Sequence, residues 1–306
     1  MKSIIIVGPT AIGKTNLSIS LAKEINGEVI GLDSRQIFDF MPIGTGQPSK
    51  NEMIEIKHYL IGSHKLTRKI SAGKYSKLVV KSIKEILSKN KVPIICGGSG
   101  LYYRALVKGI FNESITNYNI RKKLIKRLET EGVDNLLKEL KNIDFNYSKI
   151  VHKNNIKRLL RALEIYYTTG KGPSEHFTNQ KSKENNNFYK IYLKMDLNFL
   201  KIKIKKRILE MIKNGWIDEV NKLLLMDYKE SNQAMESIGY KDISSYLNNN
   251  ISFNELIQQI NIKTRKYAKK QIKWFNKEKF DLTIDVNVDD KSLILKKIIN
   301  NFYNIK

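Results

Sequence analysis

Apolar positions along this 306-residue chain follow two rhythms. Short, nearly unbroken apolar runs occupy Ser3 to Val7, Glu28 to Leu32, Tyr59 to Ile61 and Val92 to Cys96. Between them apolar residues recur every three to four positions, as in Asn16 to Ile25, which is the spacing of an amphipathic helix. Alternation of the two predicts an α/β fold, a parallel sheet flanked by helices. From about Phe111 to Asn187 the strand rhythm disappears. Helices are predicted there at Arg121 to Glu131, Asp134 to Leu140 and Lys153 to Thr168, and the polar, lysine-rich stretch Asn179 to Asn187 reads as a mobile loop. Strand character returns at Tyr189 to Met195 and at Leu282 to Val286. The expected organisation is a core of residues 1–110 and 188–306 interrupted by an all-helical insertion, residues 111–187. No internal repeat is visible.

Composition narrows the class of protein. No apolar run approaches the roughly 20 residues of a membrane span, and the first apolar run leads into a glycine loop rather than a cleavage site, so neither a membrane nor a signal peptide is expected. One cysteine, Cys96, excludes an internal disulfide and any CxxC zinc site, and favours a cytoplasmic setting. The formal net charge of +25 exceeds what solubility needs and points to a polyanion partner such as nucleic acid. A biased genome that prefers Lys, Asn and Ile is the bland alternative, but such a bias does not remove Asp and Glu.

The first candidate chemistry lies directly after the first run. Gly8-Pro9-Thr10-Ala11-Ile12-Gly13-Lys14-Thr15 fits G-x-x-x-x-G-K-[ST] and stands between an expected strand and an expected helix, as that phosphate-binding loop requires. Backbone amides around Gly13 can wrap two phosphates, Lys14 adds a point charge, and the Thr15 hydroxyl is placed to ligate Mg²⁺. The fold expected is therefore P-loop NTPase-like. In such sheets the ligand sits beyond the carboxyl ends of the strands, which draws in Asp33-Ser34-Arg35-Gln36 after the second run and Gly97-Gly98-Ser99-Gly100 after the fourth. Asp33 can serve as a general base, as a magnesium partner or as a helix cap. Two classes remain open on these residues: a small-molecule kinase or other nucleoside triphosphatase, and a transferase whose leaving group is pyrophosphate.

Longer motifs go further. Asp33-Ser-Arg-Gln-Ile-Phe, Met41-Pro-Ile-Gly-Thr-Gly-Gln-Pro48, Cys96-Gly-Gly-Ser-Gly-Leu-Tyr-Tyr-Arg-Ala-Leu-Val-Lys-Gly109 and Arg158-Leu-Leu-Arg-Ala-Leu-Glu-Ile-Tyr appear in order. Thr169-Gly-Lys171, Arg207 to Val220, Ser237-Ile-Gly-Tyr-Lys241 and Thr264-Arg-Lys-Tyr-Ala-Lys-Lys-Gln-Ile-Lys-Trp274 continue the series. Together they resemble the tRNA dimethylallyltransferases, bacterial type, over residues 3 to about 276. The resemblance implies transfer of a dimethylallyl group from dimethylallyl diphosphate to the N6 amine of the adenosine 3′ to the tRNA anticodon. The phosphate loop and Mg²⁺ would then hold a departing pyrophosphate. It also implies Asp33 as the base that removes the amine proton, Ser99 as a hydroxyl partner where the family usually has threonine, and Arg207 as a second cation at the diphosphate.

The resemblance further implies tRNA contacts at Asp33, Ser34, Arg35 and Gln36, at Ser99 and Arg121, at Lys157, Arg158, Leu159, Leu160 and Arg161, and at Glu236, Ser237, Ile238, Gly239, Tyr240 and Lys241. Arg158 and Arg161, three residues apart, fall on one helix face suited to phosphates. The basic helix Ile262 to Lys279 carries Tyr267, Trp274 and Phe275, which at this spacing read as core anchors. Departures are Gln47, where the family commonly has lysine, and Lys203, where it commonly has arginine, which a lysine replaces without its bidentate fork. One cysteine and four histidines leave no room for the C-terminal zinc finger of some eukaryotic relatives. A basic insertion favours tRNA over free adenine nucleotides as the acceptor; a monomer is expected. A small-molecule kinase and a non-catalytic RNA-binding protein are the rival classes.

Overall fold

The computed structural model describes residues 2–67, 70–109, 117–179, 187–226, 234–287 and 290–304. The chain opens with β1 (Ser3–Val7), α1 (Lys14–Glu24), β2 (Gly27–Leu32), α2 (Pro42–Thr45), α3 (Lys50–Glu55), β3 (His58–Tyr59), α4 (Ala72–Leu87), β4 (Val92–Gly97) and α5 (Gly100–Val107). A helical stretch follows: α6 (Tyr118–Ile143), α7 (Phe145–Ser148), α8 (Ile156–Thr169) and α9 (Pro173–Asn179). The chain closes with β5 (Phe188–Lys194), α10 (Leu197–Lys213), α11 (Trp216–Leu225), α12 (Tyr240–Leu247), α13 (Phe253–Phe275), β6 (Leu282–Asp285) and α14 (Lys291–Asn304). Met1–Val107 with Asn185–Lys306 form one compact unit and Lys108–Glu184 a second. The expected loop Asn179 to Asn187 falls largely on 180–186, outside the described residues.

The first unit is built on a six-stranded sheet of order β3-β2-β4-β1-β5-β6, all of its pairs parallel. Every residue of β1, β2 and β4 is buried, which explains their unbroken apolar runs: helices cover both faces of the sheet. The parallel order brings the carboxyl ends of β1, β2 and β4 to one edge, where Val7 and Leu32 both pair with Gly97. The three loops carrying candidate chemistry therefore start within two strand spacings of one another, about 10 Å. The edge strand β3 ends earlier than its apolar run suggests, because the backbone turns left-handed at Leu60 (φ 59°) and Gly62 (φ 53°).

The second unit packs α6, α7 and α8 around Leu124, Leu136, Leu140, Leu159 and Leu163. Gly132 (φ 78°, ψ 169°) breaks α6 between the two helical stretches expected on either side of it. Asn117 caps its start by accepting from the amides of Asn119 (3.1 Å) and Ile120 (3.2 Å). Residues 108–184 hold 16 Lys or Arg against 9 Asp or Glu, a surplus of 7 out of 25. That is about their share of the chain length, so the positive excess is spread over both units rather than gathered in the insertion. Among the described residues no helix is long and apolar enough to cross a membrane.

Candidate active site at the carboxyl ends of the strands

The loop from Gly8 to Thr15 leaves β1 and enters α1 through Gly13, whose left-handed backbone (φ 100°) lets the chain turn around a would-be anion. No side chain caps α1, so its first amides point at that space with the positive end of the helix dipole. The Lys14 ammonium donates to the Pro9 carbonyl at 2.8 Å. Burial lowers its pKa to about 8, with Arg207 pushing the same way against the carboxylate of Asp33 and the buried Cys96. A lysine desolvated this strongly has a standing demand for an anion.

Two cavities meet at this loop. One, of about 470 Å³, is lined by Gly13, Lys14, Thr15, Gln36, Gly46, Lys203 and Lys206 among others, and is polar. The other, of about 310 Å³, is walled by Ile204, Ile208, Met211, Trp216 and Ile238 together with Ser34, Arg35, Glu236 and Ser237. Thr10, Ala11, Asp33, Thr45, Arg207 and Tyr267 line both. Asp33 thus stands where the more polar cavity opens into the more apolar one.

Asp33 accepts from the Arg35 amide at 2.8 Å, a local turn that fixes its carboxylate at the end of β2. Ser99, after β4, accepts from the Ser34 amide at 3.1 Å and so ties the second loop to the first. Arg207 reaches the junction from α10. Burial lowers its pKa, opposed by Asp33 and Glu210. Its guanidinium lies so close to Gly46 (φ 64°) that a Cβ there would stand 1.8 Å from Nη2. Gln36 donates to the Gly46 carbonyl at 2.6 Å, and Gln47 donates to the carbonyls of Gln36 (2.9 Å) and Phe38 (2.7 Å). The glutamine that departs from the family's lysine therefore keeps donor bonds within the Asp33 loop. Lys203 lines the polar chamber.

The remaining sequence candidates divide. Glu236, Ser237 and Ile238 line the apolar chamber, whereas Tyr240 is fully buried and donates to Glu219 at 2.6 Å, and Gly239 packs against Trp216. Lys241 is exposed on α12. In the second unit, Lys157, Arg158, Arg161 and Arg121 reach the surface, with Arg161 at 3.0 Å and Arg121 at 3.9 Å from the buried carboxylate of Glu164. Leu159 and Leu160 are corrections: both belong to that unit's core, 0% and 6% exposed, so their side chains support the helix instead of meeting a ligand. Of the three aromatics expected as core anchors, Phe275 is fully buried, but Tyr267 turns into both cavities.

Three residues escaped the sequence reading. Glu219 accepts from the amides of Ile43 (2.7 Å) and Gly44 (2.9 Å) as well as from Tyr240, and burial raises its pKa. Trp216 closes the apolar chamber beside Gly44. Gln271, on α13, touches both glycine-rich loops: Oε1 accepts from the Thr10 amide and Nε2 donates to the Gly98 carbonyl, each at 2.9 Å. An acid or amide on a distant helix carries no local signal that it faces the sheet edge.

Comparison with known proteins matches residues 36–278 to the family model described as IPP transferase. A curated relative from Acetivibrio thermocellus, named tRNA dimethylallyltransferase, is 41% identical over 90% of this chain and 88% of its own. The crystal structure of a tRNA delta(2)-isopentenylpyrophosphate transferase from Staphylococcus epidermidis superposes with a TM-score of 0.72 at 34% identity, covering 100% of both chains. A eukaryotic dimethylallyltransferase solved acting on tRNA gives a TM-score of 0.85 at 28% identity, over 99% of this chain and 79% of its own.

Proposed function

The chain belongs to the IPP transferase family, and we propose that it transfers the dimethylallyl group of dimethylallyl diphosphate to the N6 amine of the adenosine 3′ to the tRNA anticodon, releasing pyrophosphate. The observation that carries this function is the pair of chambers joined at Asp33. A diphosphate and a five-carbon tail need opposite surroundings, and here the two surroundings share a wall bearing a carboxylate and a cation. A small-molecule kinase would leave the apolar chamber without a use.

The chain's own groups divide the work. The loop amides, Lys14 and Arg207 hold the diphosphate and stabilise the charge that gathers on it as the allylic C–O bond breaks. The adenine amine attacks the allylic carbon as the diphosphate leaves, and the proton it then sheds passes to the Asp33 carboxylate. Ser99 keeps the Ser34 amide, and with it the Asp33 turn, in register. Apolar walls keep water from the developing allylic cation. The donor set facing the phosphate site, the Thr15 hydroxyl and the Asp33 carboxylate, suits Mg²⁺, which takes few protein oxygens and completes its shell with water and phosphate. Bound there, Mg²⁺ would neutralise part of the leaving pyrophosphate's charge.

The acceptor is a macromolecule, and its adenine must leave the anticodon stack to reach Asp33. Lys157, Arg158 and Arg161 supply phosphate contacts on the helical unit, and Ser34, Arg35 and Glu236 to Ile238 meet the extruded nucleotide. The protein works as a monomer in the cytoplasm, where its single thiol stays reduced. The test is incubation with unmodified tRNA and either labelled dimethylallyl diphosphate or labelled ATP. Label from the prenyl donor is expected in N6-isopentenyladenosine after nuclease digestion. Phosphate moving from ATP to a small acceptor, with no prenyl label in RNA, would overturn the assignment.

A further inference from the structure

The Gln271 side chain is 6% exposed and enters the site from α13, more than 170 residues along the chain from the loops it touches. Its two bonds, from Thr10 N and to Gly98 O, both go to backbone. A Cβ on residue 98 would lie 2.3 Å from its Nε2, so the glycine there is shaped around this amide. From Gly98 the connection runs on through Ser99 Oγ to the amide of Ser34, the neighbour of Asp33. The same face of α13, one turn earlier, carries Tyr267, whose hydroxyl interacts with the side chains of Ser99 and Gln271.

We infer that Gln271, in the wall of the polar cavity, is a positioning residue: its amide sets the separation between the phosphate loop that holds the donor and the turn that orients the base, and so governs the transfer step. The inference rests on the prenyl-transfer function proposed above. Only a primary amide presents an acceptor and a donor on one short planar end; lysine would offer donors alone, and an ionised glutamate acceptors alone. Because both partners are main chain, replacing their side chains leaves the clamp intact, and the clamp fixes distance rather than chemistry. The helix is anchored for this task. Arg104 stacks over Trp274 at 4.8 Å and pairs with Glu278 at 2.5 Å, and Phe275 packs edge-on to Tyr103. A displacement of about 1 Å between reacting groups reduces rate by as much as about 100-fold.

The experiment compares Gln271→Met and Gln271→Glu with the unaltered full-length protein, using labelled dimethylallyl diphosphate and unmodified tRNA at pH 5.5 to 8.5. Gln271→Met, similar in volume, should lower kcat roughly tenfold or more with the KM for tRNA unchanged. Gln271→Glu should be the slower variant at pH 8, where its carboxylate repels the Gly98 carbonyl. It should recover relative to the unaltered protein as pH falls, since a protonated carboxyl again accepts from Thr10 and donates to Gly98. Rates are expressed per active site, so that a purely architectural glutamine, which lowers thermal stability and the active fraction alike, leaves the ratio of glutamate variant to parent near one and flat with pH. Methionine activity within twofold of the parent, or a flat ratio, overturns the inference. If the methionine variant fails to fold, the pH ratio of the glutamate variant decides. Failure of the unaltered protein to transfer label would instead overturn the proposed function, so the two outcomes are separable.

Discussion

The two chambers that meet at Asp33 are built in different ways. The polar one is lined chiefly by short contiguous segments, Gly13 to Asn16, Thr45 to Pro48 and Cys96 to Gly98, together with Thr10, Ala11, Asp33 and Gln36, with cations from α10 added. The apolar one is assembled from α10, the start of α11, residues 236–238 and the middle of α13, parts that lie far from one another in sequence. The first is held largely by the sheet, since the segments after β1, β2 and β4 begin at fully buried strand ends. The second is held by single buried side chains, chief among them Glu219, which gathers two amides and a phenol. Phosphate recognition should therefore survive damage to the apolar chamber, whereas the reverse dependence should be stronger, because Thr10, Ala11 and Asp33 belong to both.

The sharpest disturbance falls on the shared wall. Asp33→Asn keeps the acceptor for the Arg35 amide but removes the base, and turnover should drop by about 10²-fold or more in single-turnover transfer while tRNA affinity in a filter-binding assay holds. Next comes Lys14→Met. Loss of a buried charge facing phosphate is worth about 2–3 kcal/mol, so donor affinity by calorimetry should weaken roughly 30- to 100-fold. The same variant should be the more stable protein. Holding a lysine at a pKa of about 8 instead of 10.5 costs up to about 3 kcal/mol at neutral pH. That penalty is complete below pH 8 and relieved as pH climbs toward 10.5, because the unfolded chain binds the extra proton across that interval. Urea titration at pH 7 and pH 10 should show the stability advantage of the Lys14→Met variant shrinking. In the parent, donor affinity should decline as pH rises through about 8.

Gly46→Ala strikes the shared wall from the polar side, through Arg207. The new methyl occupies the place of the Arg207 guanidinium, and a donor KM about tenfold higher is expected, the value of one charge-assisted contact. An unchanged KM would mean that Arg207 does not face the diphosphate. The mildest effect on chemistry should come from Glu219→Gln, which turns an amide donor toward the donors of Ile43, Gly44 or Tyr240. It should cost about 1–3 kcal/mol of stability and leave donor affinity within about twofold. A large loss of donor affinity would break the distinction between the chambers.

The same contrast explains what was legible in the sequence. β1 and β4 stood out because parallel strands covered on both faces are nearly apolar throughout, and Gly132 marks the break in α6. The turn from β1 into α1 was legible because its glycines are forced, Gly13 by its left-handed backbone and Gly8 by its closeness to Leu193. Tyr267 was misread because periodicity separates buried from exposed faces and cannot distinguish a face that meets the core from one that meets a cavity. Gln271 and Glu219 were not legible for a related reason: each bonds to main chain of a distant element, so the contact leaves no mark in the residue types around either of them. On α8, Arg158 and Arg161 were identifiable as an outward pair, yet Leu159 and Leu160 between them were carried along by contiguity although helical geometry turns them inward.

The position of β5 bears on how the protein is made. In the finished sheet β1 lies between β4 and β5, but 180 residues separate the end of β1 from the start of β5. At translation rates of roughly 5–20 residues per second, that interval lasts on the order of ten to forty seconds on the ribosome. Over its second half, once β4 has been made, β1 has one satisfied flank and one open ladder of amides and carbonyls, the configuration that invites pairing with a foreign strand. The helical unit is synthesised within that same interval. A nascent chain halted just after residue 184 would display a central strand as an edge, and chaperone dependence should peak there and end once β5 has emerged.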